Sequence, residues 1–350
     1  MEEKVTIFDV ARRAGVSKGT VDRVLHNRGE VSEKTVRKVR KAIEETGYEP
    51  NLYASLLATR TPFVIACLLP EIQQGTYWEK INRGLVQGGD QVSALNVRVR
   101  MFYYDQYDSE SFSAAASDLL ESNPSGVILP PLFPEAAAGL AASLRSRGIP
   151  YAFVDSRIED PGYLAYFGMP MYGSGVLCAA LLTERMAAED VREALMVRIS
   201  RGDRSDPTVE RRAGFNDYMT EHFPACRLDS LTVSPDDPDG IDAALDAYFE
   251  AHPDVKLVVM CNSRVHLLGR WLAAHKDPER RVIGFDDLDA NVAMLRNSDV
   301  SILITRRTEK QSADAVSTLS DYILMRRRPD SRDNYAHMDI LTRFNIENYG

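Results

Sequence analysis

The chain is poor in the residues that build covalent or metal frameworks. Among 350 residues there are four cysteines, Cys67, Cys178, Cys226 and Cys261. No two are close in sequence, which excludes a CxxC pair and a ladder of local disulfides. Cys67 and Cys261 sit in apolar runs (VIACLL, VVMC) and are expected as small core side chains in a reducing compartment. The six histidines are scattered, with no HExxH or comparable spacing, so no metal is expected. No apolar run approaches the ~20 residues of a membrane helix. The start, MEEKVTIFDV, is charged where an export signal would be apolar. A cytoplasmic protein with no membrane partner is the expectation. There is no Walker loop, no GxSxG elbow and no GxGxxG after a strand, although Gly173 and Gly175 lie in GMPMYGSGVLCAA. No cofactor is implied. Repeats and low-complexity tracts are missing too.

What is present is an ordinary globular composition, 44% hydrophobic and 27% charged, over a length that suits two or three domains. The net charge of −9 is unevenly spread. Residues 1–60 hold 12 Lys and Arg against 9 Asp and Glu, whereas the other 290 hold 30 against 42. A small basic head on a large acidic body is the pattern expected if only the head meets phosphate.

Three short helices are written into the head. Thr6 and Asp9 form a capping-box pattern ahead of Val10, Ala11 and Ala14. Gly15 breaks that helix. Ser17 caps a second, whose Val21, Val24 and Leu25 face inward, and Asn27-Arg28-Gly29 makes a loop. Ser32 caps a third, with Val36, Val39 and Ile43 inward and a stop at Gly47. A glycine-containing turn between the first two helices makes a helix-turn-helix unit. Pro50 and Pro62 then bracket a short linker, LYASLLAT.

From Phe63 strand and helix signals alternate. Strands are expected at 63–69, 97–104, 126–131, 150–155, 194–199, 231–234, 256–261, 282–286, 301–305 and 338–344. Continuous apolar strands separated by helices mean parallel sheets covered on both faces. Ten strands are too many for one comfortable doubly wound sheet, so two lobes with a cleft between them are expected. The fold class is thus a small all-α helix-turn-helix head on a two-lobed α/β body. The boundaries are 1–49 for the head, 50–61 for the linker and 62–350 for the body, with an N-lobe of about 62–160 plus 288–325 and a C-lobe of about 161–287 plus 326–350.

The stretch from Thr6 to Leu57 carries VARRAGVSxxTVxRVL, VSExT and GYxPNxxAxxL. It resembles the lac repressor (LacI/GalR-type) family nearly without gaps, and the rest of the chain resembles that family's periplasmic-binding-protein-like body more loosely. The resemblance implies a homodimeric, sequence-specific regulator, in the first instance a repressor, on a pseudo-palindromic operator, with a sugar-like effector. Ser17–Leu25 would be the recognition helix, entering the major groove by its N-terminal end. By resemblance Lys18 and Gly19 hold base-reading positions, and Arg23 matches the TVxRV arginine, which can pair with guanine or a phosphate. Thr6, Ser17, Thr20, Asn27 and Arg28 join the DNA-contacting set, the first hydroxyls beside a helix N-terminus suiting phosphate. Asp22 stands where many relatives have serine. Either it accepts from cytosine N4 or it pairs with Arg23 or Arg28, or it is a solvated surface charge. Asn51, Ala54 and Leu57 hold the hinge-helix positions, with Leu57 as an apolar wedge in the minor groove. Packing of Leu56 and Leu57 on the body is the plainer alternative.

In the body, ligands are expected beyond the carboxyl ends of the strands. Tyr77 and Trp78 could stack on a sugar ring or belong to the core face of a helix. Asp105, Asp155, Arg198, Asn262 and Asp286 end strands, and Arg212 is assigned to ERRAGF, which resembles the family's ligand-gripping RxxGF element. Each could equally cap a following helix. Arg306 and Arg307 stand where many relatives carry glutamine, and an arginine facing the cleft suggests an anionic or oxidised sugar. A secreted sugar receptor would share the body but lack the basic head. A carbohydrate-acting enzyme using cleft carboxylates such as Asp155 and Asp286 is the other alternative. Carboxylates that bind a sugar without cleaving it are the simpler account, so no catalytic residue is assigned.

Overall fold

The computed structural model describes residues 5–25, 29, 31–48, 61–199, 208–234, 237–276 and 279–349. The chain divides into two compact units, Met1–Thr61 and Pro62–Gly350.

In the first unit, α1 spans Ile7–Ala14, α2 Lys18–Leu25 and α3 Glu33–Thr46. The Asp9 carboxylate accepts from the Thr6 backbone N–H at 2.9 Å and from its hydroxyl at 2.6 Å. Gly15 ends α1 at φ 65°, and the Val16 N–H closes the turn on the Ala11 carbonyl at 3.0 Å. Gly47 ends α3 in the same way, at φ 63°. Both turns need a left-handed residue, which glycine adopts without strain. Val10, Val21 and Val39, one from each helix, are fully buried together with Ala11, Ala14 and Ala42. This core is small, so the unit has little stability in reserve.

The second unit contains, among the described residues, two six-stranded sheets. The first runs β11-β5-β4-β3-β1-β2, built from β1 (Phe63–Pro70), β2 (Val97–Tyr104), β3 (Gly126–Leu129), β4 (Tyr151–Asp155), β5 (Ala165–Gly168) and β11 (Asp333–Tyr335). The second runs β12-β10-β9-β8-β6-β7, from β6 (Glu193–Ile199), β7 (Arg227–Val233), β8 (Leu257–Met260), β9 (Arg281–Phe285), β10 (Ile302–Thr305) and β12 (Asp339–Leu341). All these pairings are parallel except β10 with β12. Helices cover both faces: α4 (Tyr77–Val92), α5 (Ser109–Glu121), α6 (Pro134–Ser146) and α12 (Thr308–Met325) in the N-lobe. The C-lobe has α7 (Met171–Thr183), α8 (Val209–His222), α9 (Pro238–Ala251), α10 (Val265–His275) and α11 (Asp289–Asn297). The middle strands are buried end to end, as two covered faces require.

The lobe boundaries expected from sequence need correction. Residues 165–168 belong to the N-lobe as β5, and residues 289–305 belong to the C-lobe as α11 and β10. The tail is shared: β11 joins the N-lobe sheet and β12 the other. The chain therefore crosses between lobes near 169–171, 306–308 and 336–338. Strands β5 and β11 escape pattern reading because one is four residues long and the other is polar. Strand β7 begins at Arg227, earlier than expected, because its exposed edge residues mask the alternation.

Helix contacts set the lobes' tight packing. A Cβ on Gly175 of α7 would lie 1.8 Å from the Arg211 carbonyl oxygen, and one on Gly214 of α8 would lie 2.1 Å from that of Tyr172. In the N-lobe, a Cβ on Gly84 of α4 would lie 2.3 Å from the Glu309 carbonyl oxygen at the start of α12. At these positions no other residue lets the backbones meet.

Candidate functional site

The head offers α2 as its outward element. Val21 is fully buried under it, while Lys18, Gly19 and Arg23 are exposed and Thr20 and Asp22 are half-buried. Ser17 caps it, its hydroxyl accepting from the Thr20 N–H at 3.2 Å. The Lys18 ammonium lies 5.0 Å from the centroid of the Phe8 ring, which is itself 60% exposed. Phe8 thus presents the lysine from the neighbouring helix. A Cβ on Gly19 would meet only the Ser17 hydroxyl, at 3.9 Å, so the glycine leaves an open gap on the face. Arg23 donates its Nε to the Gly19 carbonyl at 3.2 Å, which lays its stem along the helix. Thr6 keeps to the capping-box pattern read from the sequence: its hydroxyl proton and backbone N–H both go to Asp9, whose acidity these bonds strengthen. Asn27, Arg28, Asn51, Ala54 and Leu57 lie outside the described residues.

In the body, the carboxyl ends of the two sheets bring together Tyr77, Asp155, Arg306 and Tyr166. Asp155 ends β4 at φ 68°, a left-handed conformation that aspartate tolerates better than most residues. Its carbonyl accepts from the Tyr166 hydroxyl at 2.9 Å. Its carboxylate accepts from the Tyr77 hydroxyl at 2.6 Å and from Arg306 Nη2 at 2.5 Å. Arg306 Nη2 also donates to the Tyr77 oxygen. Arg306 is 3% exposed, and its Nε and Nη1 have no hydrogen-bond partner. Burial raises the Tyr77 phenol well above its ordinary value, so it stays a donor.

The C-lobe supplies Asp286, which follows β9 at φ 66° and is 7% exposed. Burial pushes its carboxyl up to about 6, against the opposing pull of Arg306 and Arg211. Asn291, fully buried on α11, holds this corner. Its Nδ2 donates to the carbonyls of Asp286 (2.9 Å), Phe285 (3.1 Å) and Ser263 (3.0 Å), and its Oδ1 accepts from the His266 N–H at 3.0 Å. One side chain thereby fixes the turns after both β8 and β9.

The arginine of the RxxGF element is Arg211, not Arg212: counting back from Gly214-Phe215 gives Arg211, and the structure agrees. Arg211 is 5% exposed, donates Nε to the Ser174 hydroxyl at 2.9 Å and Nη1 to the Cys261 carbonyl, and lies 3.7 Å from the Phe285 ring centroid. Its Nη2 faces the thioethers of Met169 at 3.0 Å and Met171 at 3.5 Å. Arg212 is half-buried one position further round α8. The motif also explains itself locally. The arginine reaches inward, Gly214 lets α8 touch α7, and Phe215 fills the core.

Other expected residues have structural attachments. Asn262 donates to the Ile199 carbonyl at 3.2 Å and accepts from the Arg264 N–H at 3.3 Å, bracing β6 against the loop after β8. Trp78 packs on the N-lobe core and donates Nε1 to Gln106 at 2.9 Å. Asp105 is an exposed turn residue accepting from the Tyr107 N–H at 2.8 Å. Arg198 is half-buried in the last part of β6. Arg307 is exposed and pairs with Asp339 at 3.6 Å. Sequence reasoning missed the clasp between lobes, in which Lys80 of α4 meets Asp287 at 2.9 Å. No spacing signal links residues so far apart. Among the described residues no cluster of His, Cys, Asp and Glu could hold a metal, and no helix is long and apolar enough to cross a membrane.

Two parallel-sheet lobes joined by three crossovers, with charged groups at the strand ends between them, define a periplasmic-binding-type body, which follows the helix-turn-helix head in the sequence. Comparison with known proteins agrees. Residues 65–325 match the family described as periplasmic binding protein domain, and residues 6–51 match bacterial regulatory proteins, lacI family. A crystal structure of a putative LacI transcriptional regulator from Bacteroides fragilis is 33% identical, covering 83% of this chain and 100% of that one, at a TM-score of 0.78. The ribose operon repressor of Halalkalibacterium halodurans is 26% identical over 89% of this chain and 88% of its own. The HTH-type transcriptional regulator MalR of Streptococcus pneumoniae serotype 4 is 40% identical over 92 residues, 26% of this chain. That match spans only 28% of the length of MalR. The chain belongs to the lacI family of bacterial regulatory proteins, with a periplasmic binding protein domain as its body.

Proposed function

We propose that the protein is a cytoplasmic transcription repressor that binds a pseudo-palindromic operator as a homodimer, and that a sugar-like ligand in the interlobe cleft controls its grip. The observation that carries this reading is α2: Val21 anchors it in the core while Lys18, Gly19 and Arg23 remain exposed. Support comes from the lacI-family match over residues 6–51 and from relatives named as regulators and as a ribose operon repressor. Arg23 is assigned to a guanine edge or a phosphate, Lys18 to a base edge, and Ser17 and Thr20 to phosphate. In the body, ligand moves the lobes about the crossovers, and the movement reaches the head through residues 50–61. The coupling is reciprocal, so operator changes ligand affinity by the factor by which ligand changes operator affinity. The test is selection from randomised duplex DNA with the purified full chain. Enrichment of a palindrome is expected. Failure to prefer any duplex over random sequence overturns the reading.

A further inference from the structure

The cleft charges are not mutually satisfied. Arg306 donates only through Nη2, to Asp155 and Tyr77; its Nε and Nη1 are buried and without partners. Arg211 is a buried cation whose contacts among the described residues include no carboxylate: they are a hydroxyl, a carbonyl, two thioethers and the Phe285 ring. Thioether sulfur is a weak acceptor. Guanidinium groups stay protonated, so these donors and charges cannot be relieved by losing a proton. Buried charges of this kind are otherwise paired. Asp286, also buried and close enough to feel both arginine charges, accepts no side-chain hydrogen bond from any described residue, which leaves its carboxylate available to hydroxyl donors.

A neutral polyol supplies weak acceptors, and each of its hydroxyls brings a donor that itself needs an acceptor. A carboxylate supplies acceptors only, in a planar pair that matches the guanidinium fork, together with the missing negative charge. Taking the interlobe cleft as the effector site proposed above, we infer that its effector is a polyhydroxylated carboxylic acid, an aldonic or uronic acid. The carboxylate takes the open Nε and Nη1 donors of Arg306, within reach of the Arg211 charge, and the hydroxyls face Asp286.

Matched pairs test this by isothermal titration of the full chain: D-galacturonate with D-galactose, D-glucuronate with D-glucose, and D-gluconate with D-glucitol. An acid is expected to bind at least about tenfold tighter than its neutral partner, the range for hydrogen bonds to a charged group. R306Q is expected to abolish that preference, weakening the acid more than its neutral partner. Because removing Arg306 leaves Asp155 buried and unpaired, R306K is measured in parallel; it keeps the charge but not the fork, and an intermediate preference is expected. Neutral sugars binding as tightly as their acids, or R306Q and R306K weakening both members equally, would overturn the inference and leave the effector reading intact. Binding by no member of either series would count against the effector reading itself, and the inference would fall with it.

Discussion

Asp155 and Asp286 occupy equivalent places in the two lobes. Each stands at the carboxyl end of the third strand in its sheet order, β4 in one and β9 in the other, and each has a left-handed φ, 68° and 66°. Their surroundings differ. Asp155 is held by Arg306 and Tyr77, whereas Asp286 is buried with its carboxyl raised to about 6.

That difference makes stability depend on pH. The folded Asp286 holds its proton up to about pH 6, while in the unfolded chain it ionises near 3.8. Between these values the native state binds more protons, so the contribution of this group is most favourable below about 3.8 and is lost as pH rises through 6. The full effect is on the order of 3 kcal/mol, at about 1.4 per unit. D286N stays neutral and suits a left-handed backbone. It is expected to match the parent near pH 4 and to exceed it by roughly 2–3 kcal/mol near pH 7.5. Chemical denaturation at several pH values is the check, and parallel stability curves for the two proteins would refute the assignment.

Asn291 is expected to be the least replaceable polar side chain of the C-lobe corner. N291A leaves the carbonyls of Ser263, Phe285 and Asp286 without their donor, at a cost of about 2–4 kcal/mol in denaturant unfolding. N291D has the same shape but turns acceptors toward three carbonyls. It should be at least as damaging, and a mild phenotype would show that the amide is not the tie.

Gly214 is expected to tolerate no side chain. G214A places Cβ 2.1 Å from the Tyr172 carbonyl, so α7 and α8 must separate. The expected loss is about 2–3 kcal/mol in thermal unfolding. G139A makes the control, since a Cβ there meets nothing within 4 Å. Similar melting of the two variants would sink the close-packing account.

The head's phosphate grip is expected to be strongly salt-dependent. Six or more neutralised phosphates imply a loss of roughly 1,000-fold or more in operator affinity between about 50 and 200 mM salt. R23K keeps the charge but loses the fork, and should cost about 1–3 kcal/mol on the selected operator if Arg23 reads guanine. Fluorescence anisotropy at three salt concentrations separates the two effects. A flat salt profile would refute the phosphate grip, and an R23K protein that binds as the parent does would remove Arg23 from base reading.

The sequence by itself determined the head and the class of the body. Capping and stop residues are local, so Thr6–Asp9, Ser17, Ser32, Gly15 and Gly47 announce the helices that form. Continuous apolar runs such as VIACLL and KLVVMC mark covered parallel strands, because burial on both faces abolishes alternation. Tertiary structure decided which strand joins which lobe, since β5, β10, β11 and β12 are sorted by contacts between segments far apart in the chain. It also decided that Arg211 is buried against Ser174, the Cys261 carbonyl and the Phe285 ring while Arg212 is only half-buried, because the side of α8 that meets α7 is set where Gly175 and Gly214 let the helices touch. The pairing of Tyr77, Asp155 and Arg306 spans 229 residues. Charge and shape join them only after both lobes have folded, and no local pattern carries that information.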